Sequence, residues 1–157
     1  MNVSDRIRIE RVPVDHSELA GLIEQLDREL LEQYEPQDIF GVDLEDPEDT
    51  AGIRFSVAYV GEEPAGCGAV RPLDAERMEL KRFFVAPSFR RQGIASRLLN
   101  ALEAEARESG CTTLRLETGE LLVEAVQLYR KFGFYPIDRY GPYVNSPKSY
   151  CMEKRLD

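Results

Sequence analysis

Histidine and cysteine are scarce in this chain, and their scarcity removes whole classes of chemistry. One histidine, His16, and three cysteines, Cys67, Cys111 and Cys151, stand among 157 residues. Tetrahedral zinc sites draw on closely spaced Cys and His, and a disulfide framework draws on an even, dense set of cysteines. Neither pattern occurs, so no metal is expected. A cysteine nucleophile would want an imidazole partner, and His16 falls in a helix-start segment, so the three thiols read as buried structural residues. Long apolar runs are also missing. No segment approaches the ~20 residues that span a bilayer, and the N-terminus lacks a basic stretch followed by an apolar core. The expected location is the cytoplasm. Positive charge is in deficit, with 20 Lys and Arg against 29 Asp and Glu and a net charge of -9. A nucleic-acid surface needs clustered Lys and Arg to displace counterions from phosphates. Neither nucleic acid nor membrane is therefore expected as a partner, and a basic or neutral acceptor suits the chain better.

The length fits a single domain over residues 1–157, long enough to hide ~68–70% of the unfolded surface. No internal repeat or low-complexity segment occurs. Ile7 and Ile9 alternate with charge from Arg6 to Arg11, as in a strand with one buried face. Asp15 or Ser17 can cap a following helix whose stripe is Leu19, Leu22, Ile23, Leu26, Leu30 and Leu31, ending near Tyr34 before Pro36. From Asp38 to Asp49 the chain is acidic. This run either attracts a cationic amine or is a solvated loop.

Phe55–Val60 and Ala65–Val70 read as strands joined by a Gly-Glu-Glu-Pro turn, and Met78–Val85 as a third, stopped by Ala86-Pro87. Ile94, Ala95, Leu98, Leu99, Leu102 and Ala106 recur at helical spacing, which predicts a helix from about Gly93 to Ser109 with Gly110 as its stop. The strand at Thr113 returns across that helix and should lie parallel to the Met78 strand. Strands near Phe134–Asp138 and Ser149–Lys154 close the sheet.

Between the Met78 strand and the helix lies Ser88-Phe89-Arg90-Arg91-Gln92-Gly93-Ile94-Ala95. Small Gly93 and Ala95 let an anion approach the backbone, the unpaired amides of the first turn point outward, and Arg90 and Arg91 add charge. The same segment would also serve as a plain turn and cap. It resembles the signature of the GNAT superfamily of N-acetyltransferases, Arg/Gln-x-x-Gly-x-Gly/Ala, with Arg90, Gly93 and Ala95 in the defining places. A second block, Ala125-Val126-Gln127-Leu128-Tyr129 through Gly133-Phe134, is similar to the family's Ala-x-x-Leu-Tyr-x-x-x-Gly-Phe helix and turn. The likeness covers residues 52 to 156 well and the first fifty in outline.

The resemblance implies an α/β (α+β-like) domain with a mixed, mostly antiparallel sheet of about six or seven strands, splayed at a cofactor cleft and flanked by about four helices. It implies acetyl-CoA as acetyl donor, with its pyrophosphate on the amides of Arg91, Gln92, Gly93, Ile94, Ala95 and Ser96 and its arm beside amides near Phe84 and Val85. The reaction it implies is acetyl transfer to a primary amine of a small molecule or peptide, by direct attack in a ternary complex. An acyl-CoA sensor without catalysis is the alternative. Glu79 corresponds to the base of the histone-acetylating branch, or else pairs with Lys81 or Arg115 across the sheet. Alternation puts Glu79, Lys81 and Phe83 on one face, with Arg82 on the other. Tyr129 matches the tyrosine that protonates the departing thiolate, or else packs beside Leu128 and Phe132. Tyr140 and Tyr143, in a proline-interrupted loop, are candidates for acceptor binding, with strand cover or a homodimer contact as the other readings.

Overall fold

Period-two alternation and turn residues in the first half of the chain are realised as an antiparallel meander. The computed structural model describes residues 3–157. Strands β1 (Ile7–Val12), β2 (Arg54–Val60), β3 (Glu63–Pro72) and β4 (Arg77–Val85) pair consecutively. Helix α2 (Ile94–Glu108) then carries the chain to β5 (Thr113–Gly119), which lies parallel to β4 as a strand-helix-strand crossover favours. Helix α3 (Val123–Lys131) leads to the short β6 (Tyr135–Ile137), and β7 (Ser149–Arg155) inserts between β5 and β6. Among the described residues the sheet has seven strands in the order β1-β2-β3-β4-β5-β7-β6.

Each face of the sheet has its own core. Helix α2 buries Leu98, Leu99, Leu102 and Ala106 against Ala58, Val70, Leu80, Leu114 and Leu116. On the opposite face α1 (Ser17–Leu31) buries Leu19, Leu22 and Leu26 against Phe55, Val57, Cys67 and Ala69. Each fully buried Leu contributes about 1.5–3 kcal/mol by leaving water. All three cysteines are free and buried.

Four expectations are corrected. Among the described residues three α-helices flank the sheet rather than about four, because residues 36–53, which carry no apolar stripe, form a short 3-10 turn and loop. His16, not Asp15 or Ser17, occupies the N-cap of α1, in extended backbone and without a side-chain cap bond. That helix stops at Leu31, itself 51% exposed, and Tyr34 lies beyond the helical span. Finally, the alternation along β4 breaks. Lys81 opposes Ala69 and Phe84 opposes Cys67, so three steps on β4 match two on β3, and Arg82 takes a positive φ of 54°. This is a β-bulge, in which one extra residue turns a strand and resets its faces. Arg82 therefore reaches Asp27 of α1, while Phe83 crosses to the other face and meets the Tyr129 ring at 6.0 Å.

Candidate active site

The bulge coincides with the place where the sheet opens. Parallel pairing of β4 with β5 runs from Arg77 opposite Thr113 to Leu80 opposite Leu116 and goes no further. Beyond it the strands diverge, so backbone groups of β4 that face β5 past Leu80 lose their ladder partners. Phe84 and Val85 lie on this stretch and stay paired on their other side with Cys67 and Gly66.

The loop ahead of α2 is held by its own arginine. Arg90 Nε donates to Val85 O at 2.8 Å, and Nη2 donates to both carboxylate oxygens of Glu29 at 2.8 Å. Its guanidinium is thus committed to fixing the loop against β4 and α1. Arg91 is the projecting cation, 88% exposed at its side chain, with Glu124 at 3.7 Å. Gln92 donates to Ser88 O at 3.3 Å. Gly93 has φ +83°, and a Cβ there would meet nothing within 4 Å. Backbone conformation therefore requires glycine, while the space in front of it is open, as an anion cradle needs. Ile94 is core, Ala95 and Ser96 are half-buried, and the amides of this first turn have no intrahelical acceptor.

Where β4 and β5 part there is a cavity of about 120 Å³. Its charged lining is Asp38, Lys81, Arg82 and Glu117, among Leu26, Leu30, Phe40, Leu80, Leu116 and Leu122, with Tyr129 also on its wall. Alternation on β5 turns Leu114, Leu116 and Thr118 into the α2 core and leaves Glu117 on the α1 face. Burial pushes the Glu117 carboxyl up to about 7, against the lowering effects of the Ser149 hydrogen bond and the Lys81 ammonium; the Glu79 charge adds to the rise. Ser149 Oγ donates to Glu117 Oε2 at 2.6 Å. Tyr129 is 6% exposed and edge-on to Phe83 and Phe134. Burial first, and then the Glu117 charge, raise its phenol well above the ordinary value, so it remains protonated throughout the physiological range.

Glu79 lies elsewhere on β4, and it does not line this cavity. Its carboxylate is 1% exposed and receives Arg71 Nη2 at 2.9 Å, Tyr140 Oη at 2.5 Å and Tyr143 Oη at 2.9 Å, with Lys81 Nζ at 4.0 Å. Arg115, the other expected partner, pairs with Glu153 at 2.8 Å. Tyr140 and Tyr143 are brought to the site by the loop before β7, with their hydroxyls turned inward to Glu79. Burial and that carboxylate drive both phenols far up. Tyr143 also borders a second recess of about 470 Å³ with Phe40, Gly41, Asp49 and Arg71. Ile39, Phe40 and Lys81 line both spaces. Lys81 Nζ donates to Phe40 O at 3.2 Å and Tyr143 Oη at 3.1 Å, and burial lowers its pKa.

The acidic run is largely engaged with itself and its neighbours. Asp43 Oδ1 accepts from the Glu45 amide and Asp46 Oδ1 from the Glu48 amide, both at 3.0 Å. Asp49 takes the Asp43 amide and Arg71, and Asp38 pairs with Lys148 at 3.3 Å. Glu117 is the functional candidate that local sequence reading did not single out. A glutamate one step past the last parallel rung was the available signal, but nothing in the sequence marks where pairing ends.

With this geometry in hand, likeness to known proteins is informative. Residues 20–134 match the acetyltransferase (GNAT) family. An IAA acetyltransferase of Azospirillum brasilense is 42% identical over 137 residues, covering 86% of this chain and 88% of that protein. The uncharacterized N-acetyltransferase YsnE of Bacillus subtilis is 37% identical over 106 residues, 66% of this chain and 70% of that one. Among solved structures, a candidate acyl-CoA N-acyltransferase of Klebsiella pneumoniae superposes with a TM-score of 0.79 at 31% identity, covering 96% of this chain and 98% of that chain. A GNAT family acetyltransferase from Elizabethkingia anophelis, solved with acetyl-CoA bound, has a TM-score of 0.71 at 23% identity over 96% and 99%. At that identity the likeness concerns the fold.

Proposed function

This chain belongs to the acetyltransferase (GNAT) family, and from that premise we propose that it moves the acetyl group of acetyl-CoA to a primary amine by direct attack, with Glu117 as proton acceptor and Tyr129 as proton donor. The observation that carries this reading is the meeting of a carboxyl raised to about 7 and a buried, protonated phenol in one cavity at the β4–β5 opening.

The chain's residues fit the donor. Gly93 leaves room for a pyrophosphate over the first-turn amides, Arg91 supplies exposed positive charge, and the unpaired edge of β4 near Phe84 and Val85 can hydrogen-bond an amide-bearing arm. When bound, acetyl-CoA supplies the thioester carbon that the amine attacks. Amide donors on the free edge of β4 would stabilise the charge that builds on the thioester oxygen. A lysine-like ammonium, pKa ~10.4, must first give one proton to solvent to become a nucleophile, which leaves Glu117, a carboxyl on the cavity wall, to take the second. As the carbon–nitrogen bond forms and the carbon–sulfur bond breaks, Glu117 would take the second nitrogen proton and Tyr129 would give its own to sulfur, the phenolate then recovering a proton from Glu117 or solvent. Three free, buried cysteines support a cytoplasmic setting.

Two measurements test the reading. Acetyl-CoA at ~100 times its Kd should stabilise the protein by about 2.7 kcal/mol, seen as a rise in Tm of several degrees. Gly93→Val, which forces a β-branched residue to φ +83°, should abolish that rise. Coenzyme release in the presence of amines should then follow binding; binding without release would favour the sensor. Tyr129→Phe should lower kcat by about 10²-fold with the acetyl-CoA-induced Tm rise unchanged, and equal kcat in both proteins would remove the acid role.

A further inference from the structure

The bulge in β4 is an unfavourable conformation that something must hold. Arg82 has φ 54°, a backbone state that residues with a Cβ avoid. With Phe83 it stands opposite the single residue Gly68 on β3, between the pairs Lys81–Ala69 and Phe84–Cys67. Gly68 has no room for a side chain, since a Cβ there would lie 2.7 Å from Leu102 of α2 and 3.2 Å from Phe83. The hold on Arg82 comes from two other residues. Cys67 Sγ donates to the Arg82 carbonyl at 3.4 Å. Burial, opposed by the Arg82 charge, pushes that thiol up to about 12, so its hydrogen is always present to donate. At the other end of the same residue the guanidinium, 5% exposed, is paired with Asp27 of α1.

What the bulge decides is the direction of the amides that follow it. Backbone groups of successive strand residues turn to opposite edges. Ala86 donates its amide to Ala65 O on β3 at 2.8 Å, and the Val85 carbonyl is taken from the other edge by Arg90 Nε at 2.8 Å. The Val85 amide thus faces the cleft, past the last rung to β5. A strand regular through Arg82 would exchange the two edges and turn that amide into the sheet.

We infer that Cys67 and Asp27 are positioning residues for the acetyl donor: thiol on the carbonyl and carboxylate on the guanidinium hold Arg82 in the bulge, and thereby keep the Val85 amide aimed into the cleft. The inference rests on the donor site proposed above. Neither residue lines the cavity at the β4–β5 opening, so their effect on the donor passes through Arg82, which does. Asp27 is 47% exposed at its side chain, so its replacement leaves the core intact.

The test titrates acetyl-CoA into the full chain and follows the backbone amide resonances by NMR. In wild type, acetyl-CoA should shift the amides of Val85 and of Ala95 in the first turn of α2. Asp27→Ala and Cys67→Ala should lose most of the Val85 response and keep that of Ala95. Their Kd for acetyl-CoA should rise about two- to tenfold, as expected when one hydrogen bond is misaligned. Cys67→Ser, which keeps a donor beside the Arg82 carbonyl, should lose less than Cys67→Ala. Glycine accepts a φ of 54° without an anchor, so Arg82→Gly added to Asp27→Ala should recover the Val85 response. A wild-type Val85 response and an unchanged Kd in both single variants would overturn the positioning role while leaving the donor site standing. Failure of Arg82→Gly to recover the response would assign the Asp27 effect to the Arg82 charge on the cavity wall, and would overturn that role as well. No response at Val85 in wild type would take the donor arm away from β4, and the inference with it.

Discussion

Glu117→Gln should lower kcat/KM for acetyl transfer by about 10²- to 10⁴-fold at pH 8, the range expected when a positioned proton acceptor is removed. Binding of acetyl-CoA should persist, because the amides ahead of α2 are untouched. The pH dependence gives a sharper signature. In wild type the carboxyl titrates near 7, raised first by burial, so the base is available above that value and kcat/KM should climb as pH rises through about 7. The Gln variant should lack that limb. Stability runs the opposite way. A carboxyl whose folded pKa lies above its unfolded value of 4.5 binds more protons in the native state between 4.5 and about 7. Native stability from this group therefore falls as pH rises through that window, at up to about 1.4 kcal/mol per pH unit. Urea unfolding at pH 5 and pH 8 should show that loss in wild type and a smaller one in Glu117→Gln. A variant with wild-type activity and an unchanged limb would transfer the base role away from Glu117.

Glu79→Ala should be the most destabilising single change at this site, at about 3–5 kcal/mol, because it strands buried positive charge. Among the described residues Lys81, 5% exposed at its side chain, has Glu79 as its ion-pair partner and would be left without one, while Arg71, 18% exposed, would keep only Asp49 at 2.9 Å. Truncation also leaves the hydroxyls of Tyr140 and Tyr143 without their acceptor, and each unsatisfied buried group costs about 1–3 kcal/mol. With Glu79 gone, burial acts on Lys81 with less opposition, so its pKa, already lowered by desolvation, should fall further. A thermal melt should show a fall on the order of 10 °C. The same experiment separates two roles for Glu79. A structural hub loses stability and activity together as the Tyr140–Tyr143 loop loosens. A proton acceptor would lose activity in Glu79→Gln with the midpoint nearly unchanged, and that result would return the base to β4.

Strand and helix positions were legible because each is written in a local repeat. Ile7 and Ile9 alternate, Leu98, Leu99, Leu102 and Ala106 recur at helical spacing, and the observed elements fall within a residue or two of those patterns. The parallel placement of β5 followed from the handedness of crossovers. Where local pattern misled, a contact between distant residues was the cause. Tyr34 follows a leucine stripe and reads as the end of a helix, yet its hydroxyl is claimed by Leu121, eighty-seven positions away. Arg82 sits in an unbroken β pattern, and its bulge arises from the mismatch between β3 and β4 across the ladder.

Family membership and the turn that leads into α2 at Arg90, Gly93 and Ala95 were therefore readable from the chain, since backbone turns and helix ends are what short motifs encode. The division of labour among carboxylates was not. Glu79 and Glu117 stand on adjacent strands with similar neighbours in sequence. What separates them is that Arg71, Tyr140 and Tyr143 close over one, while β4 and β5 diverge beside the other. Burial raises the Glu117 carboxyl to about 7 against the pull of Ser149 and Lys81, which reach it only from β7 and β4 in the folded chain. A carboxyl's acidity is a property of its surroundings in space, and a linear chain does not contain those surroundings until it folds.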